Sequence, residues 1–113
     1  MLFTGDAGIE TLRRLKEYLP QNITVLKVGH HGGPLVVDEK MLQHLNPKIS
    51  LISTGVNYFG HPNKGTLDLL RNTEILRTDI NHSVKISTDG FITKLFTYNH
   101  GKRKYLFYKN FQN

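Results

Sequence analysis

The run Ile23-Thr24-Val25-Leu26-Lys27-Val28-Gly29-His30-His31-Gly32-Gly33 decides the fold. Ile23 to Val28 are mostly apolar over a length that predicts a short buried strand. Two adjacent histidines then sit between glycines at the strand's exit. Glycine lets a backbone bend and lets other groups approach closely. Imidazoles held in such a place suit metal ligation or proton transfer. Upstream, Leu2-Phe3-Thr4-Gly5-Asp6 ends a second apolar segment on a carboxylate. Two strand ends are therefore expected to bring Asp6, His30 and His31 to one edge of a sheet.

Working outward, Ile9, Leu12, Leu15 and Leu19 recur at spacings of three and four, which predicts an amphipathic helix from Gly8 to Leu19. Pro20 ends it. Asp38 is a cap for a helix from Glu39 to Leu45, and Asn46-Pro47 stops that helix. Ile49 to Ser53 reads as a strand. A loop rich in Gly, Asn and Pro follows from Gly55 to Gly65. It leads to a short helix from Thr66 to Arg71, with Thr66 or Asn63 as its cap. Glu74 to Thr78 reads as another strand. This β-α-β-α-β-α-β order predicts a layered sheet with helices on its face. Beyond it, Ser83 to Ser87 and Phe91 to Thr97 alternate around Asp89-Gly90, a type I′ hairpin signal. Asn99-His100-Gly101 makes a second turn before Tyr105 to Tyr108.

A chain of 113 residues, 38% hydrophobic and 21% charged, suits one globular domain. No apolar run approaches the roughly 20 residues that span a bilayer. No signal peptide is visible, so the reading of location defaults to the cytoplasm. The absence of cysteine excludes disulfides and thiolate metal sites. Net charge is +6, and no acidic residue follows Asp89, whereas Lys94, Lys102, Arg103, Lys104 and Lys109 do. Basic residues interleaved with Tyr98, Tyr105, Phe107, Tyr108 and Phe111 could suit a polyanion such as nucleic acid. A solvated hairpin face is the preferred reading on composition alone, and lysine there also blocks edge-to-edge pairing.

The ordered set Leu2-Phe3-Thr4-Gly5-Asp6, Val25 to Gly33, Tyr58-Phe59-Gly60-His61-Pro62 and Arg77-Thr78-Asp79 resembles the C-terminal half of a metallo-β-lactamase-fold hydrolase. The branch it resembles closes ComEC-type competence (DNA-uptake) proteins. The resemblance covers roughly residues 1 to 97 and leaves the basic tail, 98–113, outside. It implies a single partial domain over 1–113: half of an αββα sandwich, with a mixed sheet, helices on one face and antiparallel C-terminal hairpins. It implies a two-metal phosphodiester hydrolase or nuclease site holding Zn or Mn, with DNA or another phosphodiester polyanion as substrate. Asp6 resembles the carboxylate that bridges the two metals. His31 is the preferred ligand of the doublet, with His30 facing substrate, and His61 matches the histidine at the mouth of the site. In the full-length family the module is attached to a membrane channel.

The chemistry gives these residue types a reason. A carboxylate can bridge two cations, and imidazoles with oxygen donors suit zinc or manganese. Paired cations activate a water and neutralise a phosphoryl oxygen, and a nearby histidine can protonate the leaving oxygen. The family's H-x-H-x-D-H motif is missing, however, and no H-x-H occurs anywhere in the chain. The chain alone is therefore expected to bind metal weakly and to lack efficient catalysis. An upstream half domain or a second copy is expected as partner, because a half sandwich leaves one sheet face or edge bare. The alternative function is a catalytically inert half domain that packs against a partner or binds nucleic acid. Plainer readings also stand for single residues: Asp6 as a helix N-cap, His30-His31 as an exposed loop pair, His61 as part of a turn fixed by Pro62. His44 is expected on the polar side of its helix, His82 and His100 in turns, and Asp79 at a strand exit, pairing with Arg77 or capping a turn.

Overall fold

The computed structural model describes residues 1–113. Four short strands, β1 (Leu2–Phe3), β2 (Val25–Lys27), β3 (Ile49–Ile52) and β4 (Glu74–Arg77), form a sheet in that order. All its neighbours are parallel, with Leu2 opposite Leu26, Leu26 opposite Ser50 and Ser50 opposite Ile75. Helices α1 (Ile9–Arg14), α2 (Glu39–Leu45) and α3 (Lys64–Leu69) connect the strands, and one turn, α4 (Thr78–Asn81), follows β4. The remaining strands, β5 (Val84–Thr88), β6 (Ile92–Asn99) and β7 (Lys104–Gln112), make a separate antiparallel sheet.

Strand alternation sorts the apolar residues into two cores. Leu26, Val28 and Ile52 face the helices and pack with Ile9, Leu12, Met41, Leu45 and Leu70. Val25, Ile49 and Leu76 face the other way and pack with Leu95 of β6, flanked by Val84, Ile86 and Phe111. The layers are therefore helices, parallel sheet, antiparallel sheet. This corrects the expectation of one mixed sheet: the strands divide by direction into two. The C-terminal strands cover part of the other sheet face, while Phe3 on the edge strand β1 stays exposed. Tyr108 Oη and Lys109 Nζ reach Glu74 on β4 at 2.7 and 3.1 Å and fasten the two sheets together.

Local chemistry explains where elements start and stop. Asp38 caps α2 by accepting from Met41 N at 2.8 Å, and Asn63 caps α3 by accepting from Gly65 and Thr66 N. Asn63, not Thr66, is the cap, so α3 begins two residues earlier than the spacing predicts. The first helix is regular only to Arg14; a 3₁₀ turn over Lys16–Tyr18 completes it. Leu15 N lies within reach of both Thr11 O and Leu12 O, the tightening that ends many helices. His44 Nε2 sits 3.1 Å from Leu19 O beyond that turn, so His44 is tied to a backbone carbonyl. Of Asp89 and Gly90, only Gly90 has positive φ, at 93°, and Asp89 N faces Ile92 O. A type I′ turn needs positive φ at both central residues, so the turn centres on Gly90-Phe91 instead. Asp89 Oδ1 accepts from Phe91 and Ile92 N and fixes that turn.

Candidate functional site

Asp6, His30 and His31 all lie just beyond the carboxyl ends of neighbouring parallel strands, where open α/β sheets place their ligands. Two turns meet there. Thr4 Oγ1 donates to Lys27 O at 3.0 Å, and His30 N donates to Gly5 O at 2.9 Å. The approach is close enough that a Cβ on Gly29 would stand 2.9 Å from Gly5 O and from Thr4 Oγ1. Glycine at 29 is thus what lets the two strand ends touch.

The doublet itself is unusual backbone. His30, His31 and Gly32 have φ of 44°, 53° and 74°, three successive residues in the left-handed region. Non-glycine residues adopt it at a cost, met when surrounding contacts over-determine the turn. Here Gly33 N donates to His30 O, Asn63 N donates to Gly32 O at 2.8 Å, and the buried Thr66 Oγ1 donates to Gly33 O at 2.8 Å. The last two bonds tie the histidine turn to the start of α3.

His31 Nδ1 lies 2.7 Å from Ser53 O at the end of β3. A carbonyl only accepts, so Nδ1 carries a proton, and whenever the ring is neutral its lone pair lies on Nε2. This is the arrangement that orients metal-ligating histidines. The His30 ring is edge-on to His61 at 5.4 Å and lies 6.3 Å from the His31 ring. His61 Nε2 would stand 2.9 Å from a Cβ at Gly33. A small cavity of about 230 Å³ between His31 and His61 is lined also by Thr54, Gly55, Asn57 and Phe59. The structure thus gathers His30, His31 and His61 into one corner.

Asp6 occupies the adjoining turn, exposed, with its neighbour Gly5 bonded to His30. It does not cap α1: the N-cap is Gly8, with no side-chain bond. Its charge reaches Lys27, whose pKa burial lowers while the Asp6 carboxylate pulls it back up. No three histidine or acidic side chains converge as a group able to hold a metal ion. His31 and Asp6 have the right donor atoms, yet the set on this chain falls short of the complement a zinc or manganese ion takes. Asp79 pairs with Arg77 through contacts of 3.0 and 2.7 Å at the β4 exit. That bond holds the Asp79 carboxyl below its ordinary range.

Three supporting residues escaped the sequence reading. Asn57 holds the loop before His61: its Nδ2 donates to His61 O at 2.7 Å, and its Oδ1 accepts from Phe59 N and His61 N. Thr78 clamps Thr54, accepting from its N–H at 2.8 Å and donating to its carbonyl at 2.7 Å. Ser53 acts through its carbonyl alone, for which side-chain identity carries no signal. An asparagine inside a Gly-rich loop is a recognisable backbone-bonding residue, so Asn57 had one.

The chain is 36% identical over 88 residues, 74% of its length, to ComE operon protein 3 of Bacillus subtilis. It spans 11% of that protein. No family model matches the chain. No solved structure matches it either. No helix is long and apolar enough to cross a membrane.

Proposed function

We propose that this chain is the C-terminal half of a metal-dependent phosphodiester hydrolase module of a DNA-uptake protein, built as part of a metallo-β-lactamase-type αββα sandwich. The observation that carries the reading is the 2.7 Å bond from His31 Nδ1 to Ser53 O, which leaves Nε2 free at the carboxyl end of a parallel sheet. The similarity to ComE operon protein 3 and the succession of helix, parallel-sheet and antiparallel-sheet layers support it.

In this reading His31 and Asp6 are this chain's share of a zinc or manganese site, and an upstream half domain or a second copy supplies the remaining ligands. A bound metal would supply an activated water and neutralise phosphoryl charge. The chain's own part is to place imidazoles. His30 and His61, 5.4 Å apart, flank the mouth of the corner and hold a phosphate oxygen or protonate the leaving oxygen. Loops on both sides are pinned through backbone bonds, so the rings meet substrate already oriented.

The test is hydrolysis of a DNA strand with Mn²⁺ or Zn²⁺, comparing the chain alone with the chain joined to the upstream half domain proposed for it. Activity only in the joined form, abolished by His31→Ala, is the expected result. A joined form that binds metal but cleaves nothing, or activity indifferent to His31→Ala, overturns it. A second reading has one observation in its favour: no trio of metal donors converges on this chain. In that case the chain is an inert half domain that packs or binds nucleic acid, and the joined form stays inactive with every metal.

A further inference from the structure

The second sheet has an outer face that the histidine corner does not use. On it Lys85, Phe96 and Phe107 lie side by side across three strands, and Tyr98 lies opposite Tyr105 one pair further along. The rings form two pairs with a lysine between them. Phe96 meets Phe107 at 6.0 Å, Tyr98 meets Tyr105 at 5.3 Å, and Lys85 Nζ joins the two pairs at 4.8 Å from Phe96 and 5.5 Å from Tyr105. Past the strand end the row continues through His100, 5.1 Å from Tyr98, to His82 at 4.5 Å. Phe107 is 60% exposed and Tyr105 40%, so this is open surface.

A β-bulge builds the row. Leu95 pairs with Lys109, but Phe96 pairs with Phe107, so Tyr108 is the extra residue. Without it, strand alternation would put Phe107, Lys109 and Phe111 on one face. With it, Lys109 and Phe111 turn inward, to Glu74 and the inter-sheet core, while Tyr105 and Phe107 turn outward. The charge around the row is one-sided. Lys94 shares the face by alternation with buried Leu95, and Lys102, Arg103 and Lys104 rim its end. Asp89, in the far hairpin, is the one acidic residue from Ser83 to the end of the chain.

We propose that the outer face of the β5–β7 sheet is a platform for single-stranded nucleic acid, with bases against Phe107, Tyr105 and Tyr98 and phosphates against Lys85 and Lys94. Flat rings on a sheet, interleaved with cations, take bases whose faces are free, and a duplex hides those faces. The charge complements a phosphate backbone. The platform lies on a different layer from the histidine corner and works without metal, so it stands or falls apart from the hydrolase reading.

Fluorescence anisotropy with a labelled oligothymidine, in EDTA, tests it, with a duplex of equal length as comparator. The expected result is tighter binding of the single strand, weakened roughly five- to a hundred-fold by Phe107→Ala and retained by Phe107→Trp. Lys85→Gln should flatten the salt dependence. Phe107 is exposed, and an unchanged melting curve checks that the variant folds. Equal affinity for duplex, or Phe107→Ala binding like the parent, overturns the proposal. So does preferential binding to phosphatidylserine vesicles, or a dimer in sedimentation that Phe107→Ala dissolves: each assigns the face to another occupant.

Discussion

The histidine corner and the aromatic face are built in opposite ways. The corner is made of irregular backbone: a left-handed run at His30, His31 and Gly32, held by bonds from Asn63 and Thr66 and pressed against Gly5. The aromatic face is made of regular strands, and its residues meet because register and one bulge say so. The first arrangement is accurate only while the layers beneath it hold their positions. The second needs little more than its own ladder, whose one fully buried apolar anchor is Leu95. A site of positioned imidazoles and a surface for a flexible polymer ask for this difference, since proton transfer tolerates far less displacement than base stacking does.

Damage to the helix-side core should therefore reach the corner first. Leu45 is fully buried in that core. Leu45→Ala is expected to cost about 2–5 kcal/mol in urea denaturation. In hydrogen exchange, amides at His30 to Gly33 should lose protection alongside α2. If β5–β7 loses protection equally, the two regions unfold as one, and the contrast drawn here fails.

A matched pair of glycine substitutions sharpens the comparison. In Gly29→Ala the new Cβ meets the Gly5 carbonyl at 2.9 Å, and a backbone atom cannot rotate away. The expected loss is about 1–3 kcal/mol, with a displaced β1 turn visible as shifted Gly5 and His30 amide resonances. In Gly101→Ala the nearest atom is Asn99 Oδ1 at 3.4 Å, in a turn where φ at 101 is not positive. The expected change there is within about 0.5 kcal/mol. A similar cost at both positions would mean that the close approach at Gly29 has no special weight.

The sequence carried most of the first region and little of the second. Leu12 and Met41 to Leu45 announced core-facing helices, and Asp38 announced a cap, because these depend on near neighbours in the chain. The glycines around His30 and His31 announced a tight turn, yet not which carbonyl each ring would find. Ser53 is 22 residues from His31, and only the packed sheet brings its oxygen to the ring. In the second region, alternation in Tyr105 to Phe111 points every second residue to one face. The bulge at Tyr108 reverses that assignment halfway, and it arises from pairing with β6 and from the pull of Glu74 on Tyr108 and Lys109. The split into two sheets was hidden for the same reason: strand direction is legible in connection lengths, but sheet membership is set by which faces bury each other.

Glu74 is one of the polar points where the two sheets are fastened, beside the contacts of Lys48 with Gln112 O and of Thr24 with Asn113, and its removal is the gentlest test of how separate they are. The hydrogen bond from Tyr108 Oη, then that from Lys109 Nζ, holds the Glu74 carboxyl below its ordinary value of 4.5. A carboxyl depressed in the folded state stabilises above its unfolded pKa and ceases to do so as pH falls through its lower folded pKa. The contribution is thus complete above about pH 4.5 and disappears on further acidification. Glu74→Gln keeps an acceptor for Tyr108 and loses the ion pair, whose lysine is half exposed, so about 0.5–1 kcal/mol is expected near neutral pH. The difference between parent and variant should shrink toward zero in urea titrations run at successively lower pH. Asp38 shows that a nearby group can reach the same direction by another balance: burial pushes its carboxyl up, and the Met41 N–H and Arg13 outweigh it. Because Asp38 lies within the helical layer, its acid response should persist unchanged in Glu74→Gln. A variant whose whole acid limb flattens would mean that Glu74 governs the acid response of the helical layer as well as that of the seam between the sheets.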